Sequence, residues 1–202
     1  MKKKGKFIVI EGIGGCGKDT QVVLLGKYLD KLKKDFLITR EHTRDTPPGA
    51  LIERIIKKKE DQIEALALQL LYVCDRRNHF INVIKSALDK GKIVVGNRYY
   101  PTTVAYTPQK WKKVVLKLNQ SIVDRPDLVI VIDTDPEVAV SRVDGRGDAD
   151  IFDWAESLKR CRKGYQWYAK NSGDKVVFID GNGTKTEVFE KILREIKKRK
   201  II

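Results

Sequence analysis

At 202 residues with 42% hydrophobic content spread along its length, the chain can bury one sizeable core and is short for two full domains. That content excludes a disordered polymer, and no apolar stretch reaches the length of a membrane span. The formal charge is +14, from 41 Lys and Arg against 27 Asp and Glu, but much of the excess sits in lysine clusters such as Lys57-Lys58-Lys59 and Lys112-Lys113. Such clusters read as solvated helix faces, so nucleic acid is not expected as a partner.

In chain order, Phe7–Ile10 is an apolar run rich in β-branched residues and predicts a strand. Thr20–Leu32 follows with apolar residues at helical spacing. Phe36–Thr39 predicts a second strand, and 62–88 a long helix carrying Ile63, Leu66, Leu70, Val73, Ile84 and Leu88 on one face. Ile93–Val95 and Leu128–Ile132 predict strands three and four. Asp135 then stands as an N-cap before Pro136 and a helix to Val143. Val176–Ile179 predicts a fifth strand, and Thr186–Ile196 a closing helix. The strands lack polar alternation, as expected of strands covered on both faces. Alternation of strand and helix predicts an α/β fold: a five-stranded parallel sheet flanked by helices on both faces, in a single domain spanning 1–202.

Between the first strand and first helix lies Gly12-Ile13-Gly14-Gly15-Cys16-Gly17-Lys18, the spacing of a phosphate-binding loop. Glycines let backbone N–H groups converge on an anion at a helix N-terminus, and the lysine reaches the outer phosphates. The expected fold is therefore that of P-loop NTPases. The residue after the lysine, where a hydroxyl usually meets Mg²⁺, is Asp19, followed by Thr20. A carboxylate there either turns away from the nucleotide or joins the metal site.

Phe7 to Gln21 resembles the opening of thymidylate kinases, FI-x-x-EG-x-D-G-x-GK-x-TQ. Four further segments resemble that family in order: Thr39-Arg40-Glu41; Leu70-Leu71-Tyr72-Val73-Cys74-Asp75-Arg76; Arg98-Tyr99 with Tyr106; and Arg125-Pro126-Asp127-Leu128 through Asp133, Asp135-Pro136 and Arg142. The resemblance covers nearly the whole chain. It implies transfer of the γ-phosphoryl group of ATP to dTMP, with Mg²⁺ as cofactor, in a cytoplasmic homodimer. Three widely spaced cysteines, Cys16, Cys74 and Cys161, read as reduced thiols and fit that compartment. Met1–Gly5 is basic, but no small-residue cleavage site follows it, so no signal peptide is expected.

The resemblance implies site residues as follows. Gly12, Gly14, Gly15, Cys16, Gly17, Lys18, Asp19, Thr20 and Arg142 would bind ATP. Arg40, Arg76 and Arg98 would clamp the acceptor phosphate, a task suited to a forked guanidinium. Glu11 belongs to the same acceptor set, Tyr72 would stack on the base, and Thr103 and Tyr106 would read the base edge and the sugar. A lid is expected at about 142–153. Since the loop holds no arginine, Arg146, flanked by glycines, is the expected transition-state cation beside Lys18 and Arg98. Asp19 and Asn97 are the candidate Mg²⁺ contacts. The chain departs from the family's pattern at Gly14 (an aspartate there), Asn97 (an aspartate) and Thr103 (commonly Asn or Ser). These departures keep a kinase for another nucleoside monophosphate, or a catalytically degenerate nucleotide-binding protein, as alternatives.

Overall fold

A computed structural model describes residues 4–57, 63–144, 152 and 154–202. Strand β1 (Lys6–Glu11) leads into α1 (Lys18–Lys31), then β2 (Phe36–Arg40), α2 (Pro47–Ile56) and α3 (Ala65–His79). One π-helical turn, Phe80–Ile84, joins α3 to α4 (Lys85–Asp89). Strand β3 (Ile93–Asn97), α5 (Tyr100–Tyr106), α6 (Lys112–Ile122) and β4 (Leu128–Asp133) follow. Then come α7 (Pro136–Asp144), α8 (Ala155–Asn171), β5 (Val176–Asp180) and α9 (Lys185–Lys198).

The sheet is wholly parallel in the order β2-β3-β1-β4-β5. β1 is central, paired with β3 from Lys6↔Ile93 to Ile10↔Asn97 and with β4 from Ile8↔Leu128 to Glu11↔Val131. Phe7, Ile8, Val9 and Ile10 are each no more than 1% exposed. Successive strand residues point to opposite faces, so helices cover both sides. Each such side chain contributes roughly 1.5–3 kcal/mol on burial. The edge strands differ from expectation: Ile38 on β2 and Phe178 on β5 stay partly exposed, because an edge strand is covered on fewer sides.

All five predicted strands form, and each runs one or two residues further at its C-terminal end, to Glu11, Arg40, Asn97, Asp133 and Asp180. These polar ends mark the C-terminal edge of the sheet, the side on which open α/β sheets take ligands, and Arg40 among them lines the cavity there. The long helix predicted over 62–88 runs without a gap from Ala65 to Asp89 as α3, the π turn and α4, and its first predicted residue lies outside the described residues.

Candidate active site

The turn from β1 to α1 is a nest of backbone. Gly12, Gly15 and Gly17 have φ of 146°, 72° and 89°, values that side chains rarely tolerate. Gly12 also needs the space, since a Cβ there would sit 2.6 Å from Cys16 Sγ and 2.7 Å from the Ile132 carbonyl. Gly17 caps α1 in the left-handed conformation, so the first N–H groups of α1 follow the loop directly. Lys18 folds back over the loop, its Nζ donating to the Ile13 carbonyl at 3.1 Å. Its pKa is lowered, by burial first and then by the Arg98 charge; Cys16, Asp19 and Glu11 oppose the shift. An anion placed in the loop would relieve both effects. Thr20 occupies the first turn of α1, and Arg142 the last turn of α7.

Arg98 leaves β3 with φ of 70°, a strained value for a side-chain-bearing residue. Hydrogen bonds on either side fix it, from Arg98 N to the Ile10 carbonyl at 3.1 Å and from Tyr99 N to Glu11 Oε1 at 2.8 Å. The guanidinium donates to the Gly12 carbonyl at 3.4 Å and to Thr102 Oγ1 at 3.3 Å. Burial opposes its charge, but the acidic groups facing it, Tyr165, Tyr106 and Glu11 among them, hold it protonated and its pKa raised. Glu11 is fully buried. It accepts from Tyr99 N, Thr102 Oγ1 and Tyr165 Oη, and burial raises its pKa against those bonds and Arg98. Glu11 is therefore a strut of the phosphate loop; it does not line the open cavity.

At the end of β3, Asn97 Nδ2 donates to Asp19 Oδ1 at 2.6 Å, while Asn97 Oδ1 is buried with no hydrogen-bond partner among the described residues. Burial raises the Asp19 pKa, but Lys18, the Asn97 amide, Arg40 and Arg98 outweigh it and hold the carboxylate below its usual range.

A cavity of about 360 Å³ opens beside these groups. Gly14, Gly15, Lys18, Asp19, Arg40 and Arg98 line the part beside the glycine loop; Gln69, Tyr72, Thr103 and Tyr106 line it from α3 and α5. His42 and Glu53 complete the wall from the β2–α2 side, with His42 Nε2 2.8 Å from Glu53 Oε2 and the His42 ring edge-on to Tyr72 at 5.7 Å. Phe152 reaches the rim, its ring 4.8 Å from Tyr106.

Arg76 corrects the expectation of a phosphate clamp. Its side chain is 1% exposed and donates to Glu41 Oε2 at 2.7 Å, Asn119 Oδ1 at 2.7 Å and Thr103 Oγ1 at 2.9 Å. A guanidinium with those three bonds, sealed behind Thr103, braces the wall of the cavity and does not line it. Arg146 and most of the expected lid lie outside the described residues.

Sequence reasoning missed several groups. Tyr165 on α8 donates to Glu11 Oε2 at 2.9 Å and lies 2.8 Å from Thr102 Oγ1. It comes so close because Gly164 lets α8 press on α5; a Cβ there would lie 2.2 Å from the Ala105 carbonyl. Arg162, also on α8, forks onto Asp133 at 2.6 and 2.9 Å and reaches Asp135 at 3.1 Å, fixing the end of β4. Asp75 anchors the approach to α2 through Thr43 N at 2.9 Å and Thr46 Oγ1 at 2.9 Å. Only Asp75 carried a signal, by preceding Arg76 in the matched motif.

Lys112 fastens α5, which carries Thr102, Thr103 and Tyr106, by donating to the Val104 and Ala105 carbonyls at 2.9 and 2.8 Å. Burial pushes its pKa down to about 8. Between that value and the unfolded 10.5, the folded chain binds fewer protons than the unfolded one, so the contribution of Lys112 to stability grows as pH rises through this window. Lys112→Met lacks that growth. Denaturant melts at pH 7, 8, 9 and 10 are expected to show the stability of wild type minus that of the variant constant below pH 8 and rising above it.

A parallel 2-3-1-4-5 sheet with a glycine loop, Lys18 and converging arginines at its C-terminal edge defines a P-loop phosphotransferase. The thymidylate kinase family model matches residues 10–192. The chain is 32% identical to a thymidylate kinase of Halothermothrix orenii, across 96% of this chain and 97% of that protein. It is 35% identical to a thymidylate kinase of Carboxydothermus hydrogenoformans, across 94% and 95%. A probable thymidylate kinase of Thermococcus onnurineus is 38% identical across 79% and 82%. The chain belongs to the thymidylate kinase family.

Proposed function

We propose that this chain, as a single domain, transfers the γ-phosphoryl group of ATP to the 5′-phosphate oxygen of dTMP, giving ADP and dTDP. The observation that carries the reading is the cavity itself, in which the phosphate loop, two forked cations and an aromatic-lined recess share one enclosure. In this reading the loop amides and Lys18 hold the outer phosphates of ATP, with Arg142 on the donor side. Arg40 and Arg98 hold the acceptor phosphate, and Tyr72 covers the base. Thr103 and Tyr106 face the base edge and the sugar. Glu11, Tyr165 and Thr102 keep Arg98 aimed, and Arg76 keeps Thr103 in place. Arg146 supplies the additional cation from the lid. Such a site accelerates transfer by positioning and by neutralising charge that develops on the equatorial oxygens.

Mg²⁺ belongs to the proposal. The donors present fit it: Asp19 stays ionised, and the Asn97 Oδ1 beside it is buried with no partner among the described residues. Asp19 and Asn97 would hold the ion, which when bound neutralises phosphate charge. Asp19 would then supply the carboxylate that the family's pattern places at the end of β3. Asp19→Ser is expected to raise the Mg²⁺ concentration at half-maximal rate by about tenfold, the scale on which one ligand matters. A metal titration of the rate reads this, and an unchanged midpoint argues that Asp19 takes no part.

A homodimer and a cytoplasmic location complete the reading. Exposed Leu70, Ile81 and Val114 around α3 and α6 support a subunit contact. Among the described residues no helix is long and apolar enough to cross a membrane. The activity is tested by ADP release with dTMP, dUMP, dCMP and dGMP as acceptors. The expected result is the highest kcat/KM with dTMP; the highest value with another acceptor assigns the chain to that nucleotide instead.

A further inference from the structure

Gln69 lies on α3 one turn before Tyr72 and lines the same cavity. It is 3% exposed, and among the described residues no hydrogen bond satisfies its amide. A polar side chain that lines a ligand cavity and has no protein partner is placed to find one in the ligand. Across the same enclosure Thr103 Oγ1 accepts from Arg76 at 2.9 Å. A guanidinium only donates, so Arg76 fixes the polarity of that hydroxyl and leaves its own hydrogen to donate into the cavity. The two side chains therefore offer an amide acceptor, amide donors and one hydroxyl donor. That set matches the edge of a 2,4-dioxopyrimidine, where an imide N–H lies between two carbonyls.

We propose that Gln69 is a specificity-determining residue of the acceptor site, reading the imide edge of the base through its side-chain amide, with Thr103 giving a second donor. The inference rests on the activity proposed above and adds a residue and a polarity to it. Apolar and acceptor-only replacements separate reading from packing, since a site built to hydrogen-bond its substrate is impaired when one group is lost.

The test compares wild type, Gln69→Leu and Gln69→Glu with dTMP, dUMP, dCMP and dGMP, following KM and kcat for each and the KM for ATP. Calorimetric titration of dTMP without ATP gives acceptor affinity independently of turnover. Both variants are expected to raise the KM for dTMP at least about tenfold and weaken its binding to match. Saturated kcat should stay within about threefold, and the KM for ATP should not move. KM and affinity for the best acceptor within twofold of wild type in both variants overturn the role of Gln69, as does an equal loss of kcat on every acceptor with KM fixed. A wild type whose best acceptor is not dTMP contradicts the activity proposed above; the variants must then raise the KM of that best acceptor, and their failure to do so overturns the role of Gln69 separately.

Discussion

Replacing Lys18 by alanine is expected to lower kcat by about 10²–10³-fold, the cost of removing one preorganised donor from the charge that develops in a transferred group. The lysine is buried beside the loop amides and is repelled by Arg98, so its position serves an anion more than the fold. Its lowered pKa carries the same message about stability. A group held in the fold against its preferred charge destabilises the folded chain at neutral pH, so Lys18→Ala should melt no lower than wild type. Activity and stability thus move apart in this variant. A loss of less than tenfold in kcat, or a fall in melting temperature as large as a core cavity causes, would remove Lys18 from the chemistry.

Arg76→Met is expected to have the opposite profile, a large loss of stability. Glu41 is 4% exposed and meets Arg76 at 2.7 Å, so removing the guanidinium leaves a buried carboxylate with only the His79 imidazole, 3.2 Å away, beside it. The cost of breaking such a pair from one side is about 3–5 kcal/mol. For a chain of this size that corresponds to a fall of roughly 6–20 °C in melting temperature. Pairing the change with Glu41→Leu should recover much of the loss, because two apolar groups can replace a buried ion pair at little cost. The double-variant cycle, read by thermal and denaturant melts, checks both statements. A single variant within 1 kcal/mol of wild type contradicts the buried pair.

The parts legible in the sequence were those set by local pattern. The five strands are short Val- and Ile-rich runs, and glycine spacing marks the phosphate loop because the chain has few other ways to turn a strand into a helix around an anion. Helices α2, α5, α6 and α8 were not anticipated. α5 has seven residues, opens on Tyr100-Pro101 and holds two threonines and a valine, so no periodicity survives in it. In α8 the residues buried include Ser157, Gly164, Tyr165 and Tyr168, a face whose cohesion comes from close approach to α5 more than from an aliphatic stripe.

The site was legible in residue type and less so in orientation. The motif marked Arg76, but the direction of its guanidinium depends on Glu41 and Asn119, 35 and 43 residues away. Tyr165 meets Glu11 across 154 positions of sequence, a contact that no local pattern announces. Gln69 reads in sequence as a polar interruption of an apolar helix, and only its burial against the cavity gives it a chemical meaning.

The central claim is that one cavity holds the end of a triphosphate and a deoxynucleoside monophosphate together, and its direct measurement follows the transferred group. ATP labelled at the γ-phosphorus is incubated with the protein, Mg²⁺ and dTMP, and the products are separated by anion exchange. The label is expected in the outer phosphate of dTDP, in a one-to-one ratio to ADP formed, and at background level in inorganic phosphate. Label released as inorganic phosphate, or ATP bound without label reaching dTDP, would contradict the account.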